Sequence, residues 1–509
     1  MTGQNTLTGQ DPPGGLPSPG GQGASGGQGA SAEERRQALL RRLAALPPAR
    51  REALRRTMTA APAAPGLPLS SGQERLWFLN RFDPADSSNH ILWCLRLRGP
   101  IDPGGLAAAF TAVAGRHEVL RARYRMDGDR PVQVVPPPEP VVLELPVVPE
   151  DTAGGAGPDA AVLALFDRPF DLERDPPMRV ALIELGERHA LLCIVLHHIA
   201  ADGWSLNVLM RELGECYAAH REGRRPELEE LPARYADFVT WERGQAERAG
   251  PARLAFWTER LAGVPVLDLP ADHPRPPRWT GRGGRVELRV PDAETTRFEQ
   301  AARQQRSTLF MALLAAFQAT LGAVAGQDDF CVGVPVVGRS RTEFEPLIGY
   351  FSNTIALRAD LSGDPSFREL LGRVRPATLR ALQHAEEPFD RILGALRLPR
   401  DLSRPPLCQA MFNLTHNLPK DDLLRTAMGD LGVEVHPPPE TGRTRAEISV
   451  DLYRGPEGLG GSLEYGSDLL SAGTARRVAA AFTGLVTRAG ADPDLRLSEL
   501  SGLSGLKGE

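Results

Sequence analysis

From Leu67 onward apolar residues recur at two alternating spacings, and each spacing predicts one kind of element. HALLCIVLHHI (189–199) is an unbroken apolar run rich in strand formers, which predicts a central strand covered on both faces. Directly after it, SLNVLMRELGECYAAH (205–220) places Leu206, Leu209, Leu213 and Tyr217 at helical spacing. The same rhythm holds on either side. ILWCLRLRG (91–99) is strand-like, and LAAAFTAVAGRHEVLRARY (106–124) reads as a helix running into a strand. TLFMALLAAFQATLGAVAG (308–326) predicts an amphipathic helix and DFCVGVPVVG (329–338) a strand. SFRELLGRVRPATLRALQHA (366–385) and SAGTARRVAAAFTGLVTRAG (471–490) add two further helices. Strands alternating with helices make this an α/β layer protein.

The pattern also marks boundaries. Residues 1–30 are Gly, Pro, Ser and Gln with almost no apolar content, too little to offset the entropy of ordering, so a disordered tail is expected. Residues 31–66 read as a basic helical hairpin and linker. Ser31 and Glu34 form a capping box, leucines at 39, 40, 43 and 46 share one face, and Pro47-Pro48 breaks the helix. Eight arginines decorate the hairpin, which reads either as a solvated linker or as a docking element for an acidic partner. A polar, proline-containing stretch at 221–234 divides the remainder into an N-terminal lobe (67–228) and a C-terminal lobe (229–503).

Composition narrows the function classes. The 509 residues are 41% hydrophobic and 24% charged, with a formal net charge of -5; nothing in this balance argues for nucleic-acid binding. Five dispersed cysteines without C-x-x-C spacing read as free thiols in a reducing compartment. The start, MTGQNTLTGQDPPGG, lacks the features of a signal peptide. The longest apolar stretches, such as FMALLAAF (310–317), fall far short of the roughly 20 residues that cross a bilayer. The expectation is a cytoplasmic monomer with no membrane partner.

Chemistry concentrates at His197-His198-Ile199-Ala200-Ala201-Asp202-Gly203-Trp204-Ser205, where the buried strand ends and a helix begins. A strand end holds an imidazole rigidly, and a helix start supplies unpaired N–H groups and the positive end of a dipole. Gly203 lets the backbone approach a substrate closely. Acyl transfer needs a group to take a proton from the nucleophile and donors for the oxyanion. An imidazole with an unperturbed pKa of about 6.5 meets the first need. A metal site would need a third ligand, and none stands out. Spacing alone leaves catalysis and a satisfied structural histidine both open.

HHIAADG resembles the H-H-x-x-x-D-G signature of condensation domains of nonribosomal peptide synthetases, shared with chloramphenicol-acetyltransferase-like acyltransferases. Six further segments resemble that family's motifs in order. They are LPLSSGQERLWFL (67–79), with Gln73, Arg75 and Trp77, then RHEVLRARY (116–124), YADFVTW (235–241), IGYFSNTIALR (348–358), HAEEPFDRIL (384–393) and RDLSRPPLCQAMFNL (400–414). The resemblance implies two chloramphenicol-acetyltransferase-like lobes in a V shape, with a substrate tunnel between them. Donor and acceptor carrier proteins would feed phosphopantetheine arms into it from opposite faces, with no cofactor bound by the chain itself. The implied reaction is attack of an amine, or less commonly a hydroxyl, on a carrier-bound acyl or peptidyl thioester.

By the same resemblance His198 is the principal catalytic residue and His197 its packing neighbour in the catalytic group. Asp202 would pair with an arginine, for which Arg339 is the best candidate, and the Gly203 N–H would face the oxyanion. Arg75 and Trp77 are expected to be structural at the site, and Trp204, Ser205, Trp241 and Asn353 to line the tunnel or the lobe interface. His117, His384 and His416 lie in or near motifs without the spacing of ligands or bases. IGYFSNT resembles the condensing rather than the epimerising version, and both histidines stand where heterocyclising relatives carry aspartates. LGGSLEY (459–465) is similar to a carrier attachment motif but reads as a strand. With no adenylation or thioesterase signature, the chain is expected to act in trans on separate carriers, or to be one piece of a larger synthetase. The alternatives are a coenzyme A-dependent acyltransferase of the same superfamily and a non-catalytic recruitment scaffold.

Overall fold

The alternating patterns resolve into two main sheets, each with its own core. The computed structural model describes residues 66–146, 157–415, 428 and 431–500. In chain order the first half comprises β1 (Leu67–Pro68), α1 (Ser71–Phe82), β2 (His90–Arg98), α2 (Pro103–Arg116), β3 (Arg123–Asp127), β4 (Arg130–Val134), β5 (Leu143–Glu144), α3 (Pro158–Asp167), β6 (Met178–Gly186), β7 (His189–His197) and α4 (Gly203–Glu222). The second half begins with α5 (Tyr235–Arg248), α6 (Gly250–Arg260), β8 (Gly283–Pro291), α7 (Asp292–Gln304) and α8 (Leu309–Ala325). It continues with β9 (Asp329–Val336), β10 (Asn353–Asp360), α9 (Phe367–Gln383), α10 (Phe389–Leu396), β11 (Ala410–Thr415), β12 (Gly432–His436), β13 (Ile448–Gly455), β14 (Gly458–Gly466) and α11 (Ala472–Ala491).

The first sheet has the order β12-β2-β7-β6-β5, and a second of six strands runs β10-β9-β11-β13-β14-β8; β1, β4 and β3 form a small third sheet. The apolar run therefore becomes β7, the middle strand of five, and Ala190 to Leu196 are all buried. Strands covered on both faces need apolar side chains at every position, which is why no alternation shows there. Full burial of one such leucine stabilises by about 1.5–3 kcal/mol, so an alanine at Leu192 would weaken the platform that carries the histidines. β2 pairs antiparallel with β7 so that His90 lies opposite His197 and Cys94 opposite Cys193. All five cysteines are free and buried. In the second half α8 is buried almost all round, at the centre of the second core.

The second half of the chain also contributes to the first sheet and the first core. β12, from the C-terminal half, adds to the edge of the first sheet by pairing with β2. Tyr235, Phe238 and Val239 of α5, with Phe344, Leu347, Ile348, Tyr350 and Phe351, belong to the first hydrophobic core. A cut at 228 would thus separate groups that bury one another's apolar surface; the chain crosses to the first core and back. The stretch 459–465 is strand β14, as its pattern predicts. The tail 1–30, the hairpin with Ser31 and Glu34, and His416 lie outside the described residues. Among the described residues no single helix is long and apolar enough to cross a membrane.

Candidate active site

β7 stops at His197, a short 3-10 turn covers His198–Ala200, and α4 begins at Gly203 with Asp202 as its N-cap. The reversal is fixed by the backbone. The His198 N–H donates to the Asn89 carbonyl at 2.8 Å and the His197 N–H to the Pro177 carbonyl at 2.9 Å. From α1, Gln73 Nε2 donates to the Ile199 carbonyl at 3.1 Å. Gln73 also closes a capping box with Ser70, so one residue both starts α1 and ties it to the turn.

The two histidines are held in opposite tautomers. His198 Nδ1 lies 3.1 Å from the Ala201 carbonyl oxygen. A carbonyl can only accept, so Nδ1 carries the proton and Nε2 keeps its lone pair. No described residue hydrogen-bonds Nε2, and the ring is half-buried. His197 Nδ1 instead accepts the Ile199 N–H at 3.1 Å, so its proton sits on Nε2. The His197 ring is buried, edge-on to Phe170 and 5.8 Å from His90 between centroids. Burial, followed by the charges of His90 and His198, pushes the His197 proton affinity well below its ordinary value. The sealed ring has no open side toward a substrate, which agrees with the packing role expected of it within the catalytic group. Burial, followed by Arg445, likewise holds His198 well below the ordinary imidazole value, so it is neutral near pH 7.

Behind the turn lies a buried polar network. Asp202 and Arg339 pair at 2.8 Å with side chains only 2% and 1% exposed. Asp202 Oδ1 accepts the Ser205 N–H at 2.9 Å as the helix cap, and Oδ2 accepts the Phe351 N–H at 3.1 Å. Arg339 Nη2 donates to Ser205 Oγ at 3.0 Å and the Leu347 carbonyl at 3.1 Å, with the guanidinium 4.0 Å over the Phe351 ring. The carboxylate thus points away from His198's open side and into the contact between α4 and the segment 347–352. Such a pair fixes architecture; its net stabilisation is small, but breaking it costs about 3–5 kcal/mol.

The remaining predicted residues divide. Gly203 is exposed at the first position of α4, and a Cβ built there would meet nothing within 4 Å, so space is open above this N–H. Ser205, expected along the tunnel, is corrected: it is buried, with Oγ 2.8 Å from both Asp202 Oδ1 and the Gly349 carbonyl. Trp204 Nε1 donates to the Glu345 carbonyl at 2.9 Å, leaving the indole half-buried. Trp241 is half-buried and packs against Phe238 and Phe344 in an aromatic cluster. Asn353 Nδ2 donates to the Ala385 and Glu387 carbonyls at 2.8 and 2.7 Å, and its Oδ1 accepts the Phe389 N–H at 3.1 Å; it clamps the start of α10 to β10. Trp77 is buried in the first core. Arg75 reaches Tyr350 Oη at 3.0 Å and Asp390 at 3.3 Å. His117 pairs with Glu212 at 2.8 Å and accepts the Ile348 N–H, a structural link with no open side.

Sequence reasoning passed over Tyr350 and His90. Tyr350 meets the His198 ring at 81° with centroids 5.8 Å apart. His90 backs His197 and lines a cavity of about 200 Å³ with Ser88 and Phe166 on one side and Arg285, Arg445 and Glu464 on the other. This cavity is bounded by strands of both sheets. Burial, followed by Asp451, pushes the Glu464 carboxyl up to about 7. Among the described residues no group of three or more His, Cys, Asp and Glu side chains is gathered for a metal ion.

Residues 65–507 match the family profile described as Condensation domain. The chain belongs to the condensation domain family. It is 38% identical over 446 residues to one of the linear gramicidin synthase proteins of Brevibacillus parabrevis, a match covering 85% of this chain and 9% of that protein. The chain therefore spans about a tenth of the length of this curated relative. The fold resembles the X-domain from teicoplanin biosynthesis at 30% identity and a TM-score of 0.78, covering 86% of this chain and 98% of that one. That X-domain has also been solved in complex with OxyB. The fold is also similar to SgcC5 from Streptomyces globisporus, solved with (R)-(-)-1-(2-naphthyl)-1,2-ethanediol and sucrose. There the identity is 27% and the TM-score 0.67, covering 84% of this chain and all of that one. The motifs quoted from 67 to 414 all fall inside the matched region of the condensation profile.

Proposed function

We propose that this condensation domain joins a carrier-tethered acyl or peptidyl donor to an amine, or less commonly a hydroxyl, through His198. One observation carries the reading. Nε2 of a neutral, half-buried imidazole has a free lone pair, beside a helix start with open space above Gly203. The nucleophile attacks the thioester carbonyl, the C–N bond forms, and the oxyanion collapses to expel the thiolate. The nitrogen loses a proton to Nε2, and that proton returns to the departing sulfur. The attacking nitrogen becomes far more acidic once bonded to carbon, so an imidazole of low proton affinity suffices, acting largely by position. The Gly203 N–H is the proposed oxyanion donor, worth about 10²–10³ in rate in comparable sites.

The cavity between His90 and Glu464 is read as part of a tunnel through which phosphopantetheine arms of donor and acceptor carriers, in the cytoplasm, would meet. Loading a carrier protein with an aminoacyl group, adding an amine acceptor and following the carrier by intact-protein mass spectrometry tests this. Product formed from the loaded carrier supports the proposal. Product formed only from acyl-coenzyme A would replace it with the coenzyme A-dependent reaction. A recruitment role has one supporting observation, the resemblance to an X-domain solved with a protein partner. Full product formation by a His198→Ala protein would favour that role.

A further inference from the structure

The polar network behind the motif ends on a side chain that touches the imidazole. Ser205 Oγ accepts the Gly349 N–H at 3.1 Å, Asp202 holds the Phe351 N–H, and between them the Tyr350 carbonyl accepts from Tyr235 Oη at 2.6 Å. Three successive residues are thereby pinned, which leaves the Tyr350 ring little freedom. It is buried and lies across Gly72 of α1, where a Cβ would come within 2.4 Å of a ring carbon. From there the ring meets His198 nearly at right angles, and its hydroxyl holds Arg75, whose other side faces Asp390 of α10.

We propose that Tyr350 is a positioning residue: its ring sets the plane of the His198 imidazole, and its hydroxyl anchors the Arg75 guanidinium beside that ring. This rests on the reading of His198 as the proton acceptor. The imidazole has two constraints on its plane, the Nδ1–H bond to Ala201 and the Tyr350 ring. With both in place Nε2 is aimed outward. The anchored cation disfavours a second proton on the ring, so the lone pair stays available. The other charged and titratable groups around His198 are Arg445 from the segment before β13, His90 on β2 and His197 on its own strand. Arg75 is the cation among them that Tyr350 holds. Without the hydroxyl, Arg75 relaxes toward Asp390 and away from the imidazole.

The test uses the full chain with ¹³C-labelled histidine, the His198 resonance being assigned with His198→Gln, and Tyr350→Phe, Tyr350→Leu and Arg75→Met beside wild type. His198 is expected to stay neutral down to lower pH in wild type than in all three variants, with a rise of about half a unit or more in each. This titration needs no substrate. Aminolysis of alanyl-pantetheine by glycinamide is the second readout. Tyr350→Phe, which keeps the ring, is expected within about threefold of wild type, and Tyr350→Leu about tenfold or more slower, because misplaced groups lose rate steeply. Variants that lose thermal stability while the His198 titration stays unmoved would reduce Tyr350 to a structural residue and overturn the proposal. So would equal rates for Phe and Leu. Aminolysis that survives in His198→Gln would instead overturn the assignment of His198 while the titration still reports on Tyr350.

Discussion

Replacing Asp202 by alanine removes the acceptor that caps α4, holds the 347–352 segment and neutralises Arg339. The magnitude follows from the geometry. The guanidinium left behind is 1% exposed, and stranding a buried charge costs about 3–5 kcal/mol. Loss of the cap on Ser205 N–H adds about 1 kcal/mol. A total of about 4–6 kcal/mol is a large share of the roughly 5–15 kcal/mol that holds a typical domain folded. Asp202→Ala should therefore lose soluble protein and thermal stability before any question of rate arises. Asp202→Asn with Arg339→Met removes both charges while keeping the cap oxygen. It should recover about 1–3 kcal/mol relative to the sum of the single changes, since contacting residues couple by that much. Soluble yield, thermal melting and denaturant unfolding of wild type, Asp202→Ala, the two single changes and the double change measure this. A well-folded, inactive Asp202→Ala with a wild-type melting temperature would refute the reasoning and assign Asp202 a direct role in the chemistry.

Two further predictions concern space and protons. Gly203→Ala meets no protein atom within 4 Å and favours the helix by up to about 1 kcal/mol. Its melting temperature should hold or rise while acyl transfer falls at least tenfold, because the new methyl occupies the proposed path of the thioester carbonyl; unchanged transfer would remove Gly203 from the oxyanion site. The buried neutral His197 binds fewer protons folded than unfolded below pH 6.5, so it makes stability rise with pH and lets it fall as pH drops below about 6.5, by up to about 1.4 kcal/mol per pH unit. Glu464, held up to about 7, acts with the opposite sign between about 4.5 and 7. The readout is therefore the difference between wild type and His197→Gln: the variant should lose less stability between pH 6.5 and 5, and parallel curves would show that His197 is not held neutral.

The strand, turn and helix that carry the histidines were legible because each writes its period locally. β7 is apolar at every position, and α4 shows a leucine stripe behind an aspartate cap. The Asp202–Arg339 pair was also foreseeable, since the family resemblance implies an arginine partner and Arg339 lies in the segment after the β9 pattern. What stayed hidden depends on long-range register. Gly432–His436 is a short edge strand with one polar residue, Glu434, between its valines, and nothing in GVEVH says that it pairs with β2. His90 meets His197 only because two strands far apart in sequence pair in that register. Ser205 reads as a tunnel-lining residue at a helix start, yet the 347–352 segment covers it. Tyr350 sits inside a recognised motif, but its contact with His198 requires the crossing of the C-terminal half onto the first core.

Catalysis by this domain turns, as proposed, on a single lone pair at His198 Nε2. Its most direct measurement is the single-turnover rate of acyl transfer from a loaded carrier, comparing wild type with His198→Ala at matched melting temperature. A positioned base is worth about 10²–10⁴ in rate, and a fall of that size with the fold intact is the predicted result. A His198→Ala protein that transfers the acyl group at the wild-type rate would contradict it.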